Sequence, residues 1–510
     1  MKKFDKGYIY SSLLTDLFSS LIAVFIFLKD FFFDEGSKNE DKIAAIPFLV
    51  IGFTVIYLSF IVYRILYYRT SSYELTGNEL KCTRGVFFRK RSVLEYKKVH
   101  AINKKQNLFQ RIFGIAILTV DSGSTNTSHQ AEITIIEKDK IVDILLNELN
   151  SLKDGGVRNT ESTQPKDELL LSDEDNLYRF TCGKKMLYTL INIVSTAFFT
   201  ALFAVLTIIV IGICKLMLQQ NFLGTWGQYF LYAFMITVGA MMLFSMFSLI
   251  GCLLHSFVGY YKFKITKRGK DIQISYGLLE KHTNTFSYDR IKAVKITQGL
   301  VQRMLGFATI RLEVIGYTNN TGDDNQNADL GVLVPFCKYE EISKILGKVL
   351  PDYIPDNKQT KSISYFPFIS WFALILGIIT GVVLLQATLS MLLFNVSSSV
   401  IVAVDFVIVG LGSIILAVKA LSAILSYQNN GLAISNGKIT AYYGGFTKKV
   451  TVFMSKNLIA AENVTTPLRQ KAGITSLVMH LKTNALSNEV KVHIQENKLS
   501  EAVEQILLNG

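Results

Sequence analysis

Charged residues, prolines and cysteines are all scarce in this chain. Only 18% of its 510 residues are charged, whereas 50% are hydrophobic, and it has 7 prolines and 5 cysteines. Soluble domains carry about a quarter charged residues, so the composition excludes an ordinary soluble protein. The cysteines include no CxxC pair, which gives no indication of a zinc site or a disulfide framework. We therefore expect the polar parts to face a reducing cytosol.

The signatures of common enzymes are missing as well. No GxxxxGKS/T phosphate-binding loop and no GxSxG nucleophile elbow occurs, and the 6 histidines form neither an HxH nor an HxxxH group. His480 and His493 approach each other only if they lie on neighbouring strands. Metal sites usually show characteristic ligand spacing. The sequence therefore predicts no catalytic residue, no metal, no cofactor and no enzymatic activity.

Long uncharged stretches are present instead. A helix needs about 20 predominantly apolar residues to cross the hydrocarbon core of a bilayer. Six runs meet this requirement, and they come in pairs that predict three helical hairpins. The runs are Tyr8 to Leu28, Ile43 to Val62, Met186 to Cys214, about Tyr229 to Tyr261, Tyr365 to Phe394 and about Val400 to Tyr427.

The charges beside these runs predict the orientation of the chain, since Lys and Arg accumulate on the cytosolic side of membrane proteins. The amino terminus carries Lys2, Lys3 and Lys6, whereas the first hairpin loop is acidic on balance and the other two loops offer at most Lys215. We therefore expect these loops to face outward and both chain termini to lie in the cytosol.

The cytosolic segments contain a repeat, because three pairs of glycines have the same separation of 29 positions. The pairs are Gly85 with Gly114, Gly277 with Gly306, and Gly444 with Gly473. Equal spacings predict three repeats of one domain, each following a hairpin. The predicted hairpins are 8–68, 184–261 and 362–427, the domains are 70–152, 262–351 and 428–510, and a polar linker occupies 153–183.

Within each repeat, apolar and polar residues alternate over short runs, as in Leu80 and Cys82, which predicts antiparallel strands. Apolar residues at helical spacing, such as Ile141 and Leu145, then close each repeat. The predicted fold class is an α+β membrane protein. It has six transmembrane helices in three hairpins, each followed by a cytosolic antiparallel β domain that a C-terminal helix caps.

The first two repeats share the motif Q-x-x-x-Q-R-x-x-G after a basic strand. Its residues are Gln106, Gln110, Arg111 and Gly114, then Gln298, Gln302, Arg303 and Gly306, whereas repeat three has Thr465, Arg469, Gln470 and Gly473. The motif resembles the bacterial pleckstrin-homology-like (PH-like) domain, and the whole arrangement resembles the YdbT-like membrane proteins. This resemblance implies PH-like folds, a bacterial plasma-membrane location and a smaller membrane partner with one hairpin and one such domain. It also implies a role in tolerance of membrane-active peptides.

Two candidate sites lie in the cytosolic part. The Gln-Arg pair, Gln110 with Arg111 and Gln302 with Arg303, either contacts a carboxylate or carbonyl of the neighbouring repeat or touches lipid phosphate. A basic cluster is expected to face the anionic inner leaflet, either nonspecifically or through a headgroup-specific pocket. Its residues are Arg89, Lys90, Arg91, Lys97, Lys98, Lys104 and Lys105. No recognised nucleic-acid module is present, so nucleic-acid binding is not expected.

Three ionisable residues interrupt the predicted spans: Asp16, Asp405 and Lys419. Such groups cost about 2.5–3.5 kcal/mol on insertion and usually face a bundle interior or a cavity. Asp16 and Lys419 lie near cytosolic ends, from which they can snorkel to the interface. Asp405 is either a hydrogen-bonded packing residue or part of a polar path.

The features together predict a non-enzymatic plasma-membrane scaffold whose domains pack together, recruit the smaller partner, contact anionic lipid and self-associate. The alternative is a lipid or peptide transporter with a path between the hairpins. Inverted repeats would favour transport. The repeats here are parallel, hairpin followed by domain, and leave the two functions open.

Overall fold

A computed structural model of the chain divides into two compact units. The described residues are 1–33, 39–99, 101–121, 133–153, 176–181, 183–194, 239, 246–247, 250–251, 257–268, 271–314, 331–359, 376–378, 380–383, 385, 418–426, 428–464, 475–482, 489–494, 503 and 505. The first unit comprises the described parts of Met1–Arg179 and Tyr261–Arg290, and the second comprises those of Phe180–Tyr260, Ile291–Val314 and Gly331–Gly510. Most of predicted spans three to six, with Asp405, lies outside the described residues.

The first predicted hairpin consists of helices α1 (Gly7–Phe33) and α2 (Asn39–Thr70). At 1.5 Å per residue they are roughly 40 and 48 Å long, which exceeds the hydrocarbon thickness of a bilayer. The Tyr57 hydroxyl donates to the Leu13 carbonyl oxygen at 3.4 Å, so the two helices pack together. Among the described residues, Ile51–Thr70 is the one helical stretch long and apolar enough to cross a membrane.

Each repeat contributes six strands among the described residues. Repeat one holds β2 (Ser72–Leu75), β3 (Glu79–Arg84), β4 (Lys90–Glu95), β5 (Ala101–Gln106), β6 (Ile115–Asp121) and β7 (Ile133–Lys138). Repeat two holds β9 (Lys264–Arg268), β10 (Asp271–Tyr276), β11 (Lys281–Ser287), β12 (Ile291–Gln298), β13 (Phe307–Val314) and β14 (Val332–Lys338). Repeat three holds β15 (Gly431–Ser435), β16 (Lys438–Tyr443), β17 (Lys448–Met454), β18 (Leu458–Val464), β19 (Thr475–Leu481) and β20 (Glu489–Ile494).

Two short strands and four α-helices lie between or beside these strands among the described residues. The strands are β1 (Lys2–Lys3) and β8 (Asn176–Arg179), and the helices are α3 (Leu108–Ile112), α4 (Asp139–Lys153), α5 (Leu300–Met304) and α6 (Ile342–Val349).

Repeat one shows how the strands enclose a core. Strands β2–β4 form one antiparallel sheet with β1, and β5–β7 belong to a second. Leu80 of the first sheet and Ile115 of the second are fully buried in one cluster, which Leu149 of α4 closes. Repeat three builds a similar core in which Phe453 packs with Leu477. The chain is therefore an α+β protein with several antiparallel β-sheet domains, as the alternating pattern predicted.

The sheets extend from one repeat into the next. A seven-stranded sheet has the order β7-β6-β5-β11-β10-β9-β8, so β5 of repeat one pairs with β11 of repeat two. A six-stranded sheet has the order β14-β13-β12-β17-β16-β15, so β12 of repeat two pairs with β17 of repeat three. Neighbouring repeats are thus joined by backbone hydrogen bonds, a feature that the sequence pattern did not indicate.

The segments before the predicted hairpins pair with strands that follow them. Strand β1 pairs with β2, and β8 pairs with β9. Before the third predicted hairpin, the Gln359 backbone N–H donates to the Leu432 carbonyl oxygen of β15 at 3.1 Å. Each stretch that holds a predicted hairpin therefore begins and ends at the same sheet, as a hairpin requires.

Glycines occupy two kinds of left-handed position. Gly114 and Gly306 have φ angles of +64° and +73°, in the left-handed region, and open space surrounds them. Gly85, Gly277 and Gly444 have φ angles of +112°, +107° and +102°. A Cβ atom on any of these three would collide with the carbonyl oxygen of the residue three positions later in the chain. This second kind of position excludes side chains on steric grounds as well as conformational ones.

Candidate functional site: the strands that join the repeats

The first junction is formed by β5 and β11, which run antiparallel in continuous register from Gln106 opposite Lys281 to Ala101 opposite Phe286. Within this register Ile102 lies opposite Thr285, and both side chains are buried. A buried, regularly paired strand resembles the interior of a sheet rather than a surface contact between finished domains.

The second junction, between β12 and β17, repeats this register. Gln298 lies opposite Lys448, as Gln106 lies opposite Lys281 in the first junction. Val294 lies opposite Val452, as Ile102 lies opposite Thr285. The correspondence follows from the glycine spacing, because Thr285 and Val452 each lie eight residues after their turn glycine. One geometry therefore joins repeat one to repeat two and repeat two to repeat three.

Side chains reinforce the first junction. The Lys105 ammonium forms an ion pair with Glu280, and His282 Nε2 lies 3.7 Å from the same carboxylate. Burial lowers the pKa of Lys105. The Arg111 guanidinium Nη1 lies 3.4 Å from the Leu278 carbonyl oxygen, to which it donates. Arg111 therefore reaches a backbone carbonyl of the neighbouring repeat, although it is largely exposed and the bond is long.

The glutamines of the motif serve their own repeat. The Gln106 and Gln298 side-chain amides donate to the carbonyl oxygens of Ile115 and Phe307, at 2.8 and 2.9 Å. The side-chain oxygens of the second glutamines, Gln110 and Gln302, accept the backbone N–H groups that precede the short helices α3 and α5, at 2.9 and 3.1 Å. These bonds fix the turn that presents the adjacent arginine.

The second junction differs in its charges. Lys448 Nζ lies 5.0 Å from the centre of the Tyr339 ring. Burial lowers the pKa of Lys448, and the charges of Arg303 and Lys358 lower it further. The buried Nη1 atom of Arg303 has no hydrogen-bond partner among the described residues. The Asn457 side-chain amide donates to the Lys292 carbonyl oxygen at 3.0 Å and adds a polar contact between repeats two and three.

The predicted basic cluster is divided by the structure. Lys104 is buried, with its ammonium 2.6 Å from Asp139 and 2.5 Å from Asp143, and Lys105 belongs to the first junction. The remaining members are all exposed: Arg89 in the β3–β4 turn, Lys90 and Arg91 on β4, and Lys97 and Lys98 in the turn that follows β4. Phe87 and Phe88, 83% and 93% exposed, lie beside them at the tip of the β3–β4 turn. The site predicted from the sequence does not include this aromatic pair, although the pair directly precedes the basic run.

Asp16, which interrupts the first predicted span, forms a bidentate pair with Arg64 of α2. Arg64 Nε and Nη2 lie 2.8 and 2.9 Å from its carboxylate oxygens, and Nη1 donates to the Tyr8 hydroxyl at 2.8 Å. Arg64 follows the second predicted run, which ends at Val62, and its pairing with Asp16 was not predicted. The available signal was that both residues lie near the open end of an antiparallel hairpin. Lys419 lies exposed on helical residues 418–426.

His480 and His493 do not meet. His493 Nδ1 lies 2.8 Å from the Ser476 hydroxyl, and His480 Nε2 lies 3.3 Å from Glu462. Among the described residues, no group of histidine, cysteine or acidic side chains is arranged to hold a metal ion.

Comparisons with known proteins agree with this architecture. The profile of the Bacterial PH domain family matches residues 23–152, 197–351 and 366–509. The UPF0699 transmembrane protein YdbT of Bacillus subtilis (strain 168) is 22% identical over 311 residues, which cover 59% of this chain. The chain spans about 61% of the length of that curated relative. No solved structure matches.

Proposed function

The chain belongs to the bacterial PH domain family, and from this premise we propose that it is a non-enzymatic assembly scaffold of the bacterial plasma membrane. The observation that carries the proposal is the continuation of sheets from repeat to repeat, at β5–β11 and at β12–β17. Paired strand edges are a means of joining protein modules rather than of positioning a reacting group.

The proposed membrane topology has six helices in three hairpins, with both termini in the cytosol. Helices α1 and α2 form the first hairpin. The pairing of β1 with β2 supports this first hairpin, and the pairings of β8 with β9 and of Gln359 with Leu432 support the other two, because each returns the chain to the side from which it left. Two paired strands lie on the same side of the membrane, so the chain between them crosses the membrane an even number of times.

The scaffold contacts the inner leaflet through the β3–β4 turn of repeat one. Phe87 and Phe88 are suited to the interfacial layer, and the exposed Arg89, Lys90 and Arg91 are suited to anionic headgroups. The exposed basic residues attract the leaflet without a defined pocket, which favours nonspecific attraction over headgroup recognition.

The partner proposed for the scaffold is a smaller membrane protein with one hairpin and one PH-like domain. A PH-like domain in the partner has strand edges of the kinds that pair at β5–β11 and β12–β17 in this chain. An assembly of this kind at the inner leaflet is suited to the envelope-protecting role that the family resemblance implies.

The arginines of the motif give a test of the assembly. Each repeat that carries the Gln-Arg pair is followed by another repeat, and Arg111 donates to a carbonyl of that next repeat. Lys supplies a point charge but not the planar fork of Arg. We expect the double variant Arg111→Lys/Arg303→Lys to lower co-purification of partner proteins from native membranes roughly five-fold, since about 1 kcal/mol of contact energy is lost.

The exposed residue Arg179, changed to Lys, provides the matched control and should co-purify partners like the parent. Normal membrane insertion of all variants is established first by their recovery in the membrane fraction. Equal co-purification by the double variant would show that the arginines face lipid. A parent chain that is recovered from native membranes without any protein partner would contradict the scaffold itself.

A further inference from the structure

Both junctions pair the same two strands of the repeat. We use the name "strand three" for the strand that follows the turn glycine in each repeat, which is β4, β11 or β17. The next strand along the chain, which is β5, β12 or β18, is called "strand four". Strand four of one repeat pairs with strand three of the next, as β5 with β11 and β12 with β17. Among the described strands, β4 pairs only with β3, and β18 pairs only with β19.

The exposure of the side chains shows that β4 is an open edge. Val93 of β4 is 51% exposed, whereas its counterparts in the paired strands, Thr285 and Val452, are 3% and 0% exposed. The same position in the repeat is therefore covered wherever strand three has a neighbour and open in repeat one.

Strand β18 is open in the same way. Ala461 is half-buried, whereas its counterparts Ile102 and Val294 are fully buried in the two junctions. The Glu462 side chain is 63% exposed, and Ile459 and Val464 are exposed as well. The described strands thus leave two different edges open, a strand three in the first unit and a strand four in the second.

The basic residues of β4 do not prevent pairing. Lysines on edge strands often keep sheets from joining. In this fold, however, Lys449 occupies the position of Lys90 and is paired with Thr297 inside the second junction. A basic residue at this position is therefore compatible with a neighbouring strand four.

We propose, on the basis of the scaffold function, that β4 of one molecule pairs antiparallel with β18 of a second molecule. The register follows from the two internal junctions: Val93 lies opposite Ala461, Ser92 opposite Glu462, and Lys90 opposite Val464. Lys90 and Glu462 are then diagonal neighbours on one face with opposite charges, and Glu462 also lies 3.3 Å from His480 Nε2.

A second molecule is the occupant because this chain carries both halves of the junction, and because the junction is built twice within it. The contact is head-to-tail, so molecules joined in this way form an open row or a closed ring. The membrane favours it, since it confines all molecules to one plane with their domains on one side. The smaller partner then caps a free end of the row.

Cysteine cross-linking in membranes tests the register. Full-length chains carrying Val93→Cys and Ala461→Cys, each with its own tag, are co-expressed and treated with an oxidant or a short thiol-specific cross-linker. We expect a cross-linked dimer that contains both tags. The yield should be roughly ten-fold above that of Val93→Cys with Glu462→Cys, because adjacent residues of a strand point to opposite faces.

Three controls separate the possible failures. The parent chain reports any cross-linking by its native cysteines. A single chain with Thr297→Cys and Lys449→Cys reports the internal junction on which the scaffold function rests. If that internal product forms and no two-tag dimer does, the head-to-tail contact is overturned and the scaffold stands. If neither product forms, both are overturned. If two chains that both carry Val93→Cys cross-link in the same yield as the Val93→Cys and Ala461→Cys chains, the head-to-tail contact is also overturned.

Discussion

Replacing Asp16 with leucine is expected to lower the free energy of unfolding by about 3 kcal/mol, because the Arg64 guanidinium would lose its bidentate partner. The Tyr8 hydroxyl, which accepts from Nη1, is neutral and cannot replace the carboxylate. The measurement is denaturant unfolding of the full chain in mixed micelles. Arg64→Leu should cost a similar amount, since it leaves the carboxylate unpaired.

The double variant Asp16→Leu/Arg64→Leu distinguishes an ion pair from a general packing effect. If the two residues stabilise the hairpin as a pair, the double variant loses much less than the sum of the single losses. Ser19→Leu is the matched control, because the Ser19 hydroxyl donates to the Asp16 backbone carbonyl oxygen of its own helix and not to the carboxylate. Additive losses from Asp16→Leu and Arg64→Leu would refute the pairing.

Gly277→Ala is the second substitution with a large expected effect. The methyl group would collide with the Glu280 carbonyl oxygen, and the residue has a φ angle of +107° that alanine rarely adopts. We expect a loss of about 3 kcal/mol, from the left-handed conformation and from displacement of the turn together. Amide exchange should quicken in β10 and β11, and also in β5, which pairs with β11 in another repeat.

Gly306→Ala is the comparison for this substitution. It shares a positive φ angle but has open space around the site, so only the conformational cost of about 1 kcal/mol applies. If Gly277→Ala and Gly306→Ala prove equally mild, the turn relaxes freely and the collision has no consequence. If exchange in β5 is unchanged while β11 is destabilised, the two strands do not share a sheet.

Much of the architecture was predictable because it depends on residues that are close together in the sequence. Turn glycines such as Gly114 and Gly306 mark left-handed positions, and alternation marks strand faces. The apolar runs likewise predicted α1 and α2. The third repeat's motif residues and Asp405 lie outside the described residues, so those expectations stay predictions.

The pairings between repeats were not predictable by the same means. Alternation shows which face of β5 is buried, but it does not show which strand lies beside it. A similar limit applies to the basic cluster, in which Lys104 is a close sequence neighbour of exposed lysines yet is buried against Asp139 and Asp143. Asp16 and Arg64 come from different helices, and only the hairpin brings them together.

The measurement that tests the central claim most directly is cross-linking across the first junction. Lys105 lies opposite His282, so a full-length chain with cysteine at both positions should form an intrachain bridge in its membrane. The native thiols of Cys82 and Cys337 interfere little, because burial raises the pKa of Cys82 and raises that of Cys337 to about 12.

The matched chain carries Lys105→Cys with Thr283→Cys, one residue along β11, which points to the other face of the sheet. The account predicts a bridge in near-complete yield for the opposite pair and little for the displaced pair. Equal yields for the two pairs, or no bridge in either, would contradict the sharing of one sheet by neighbouring repeats.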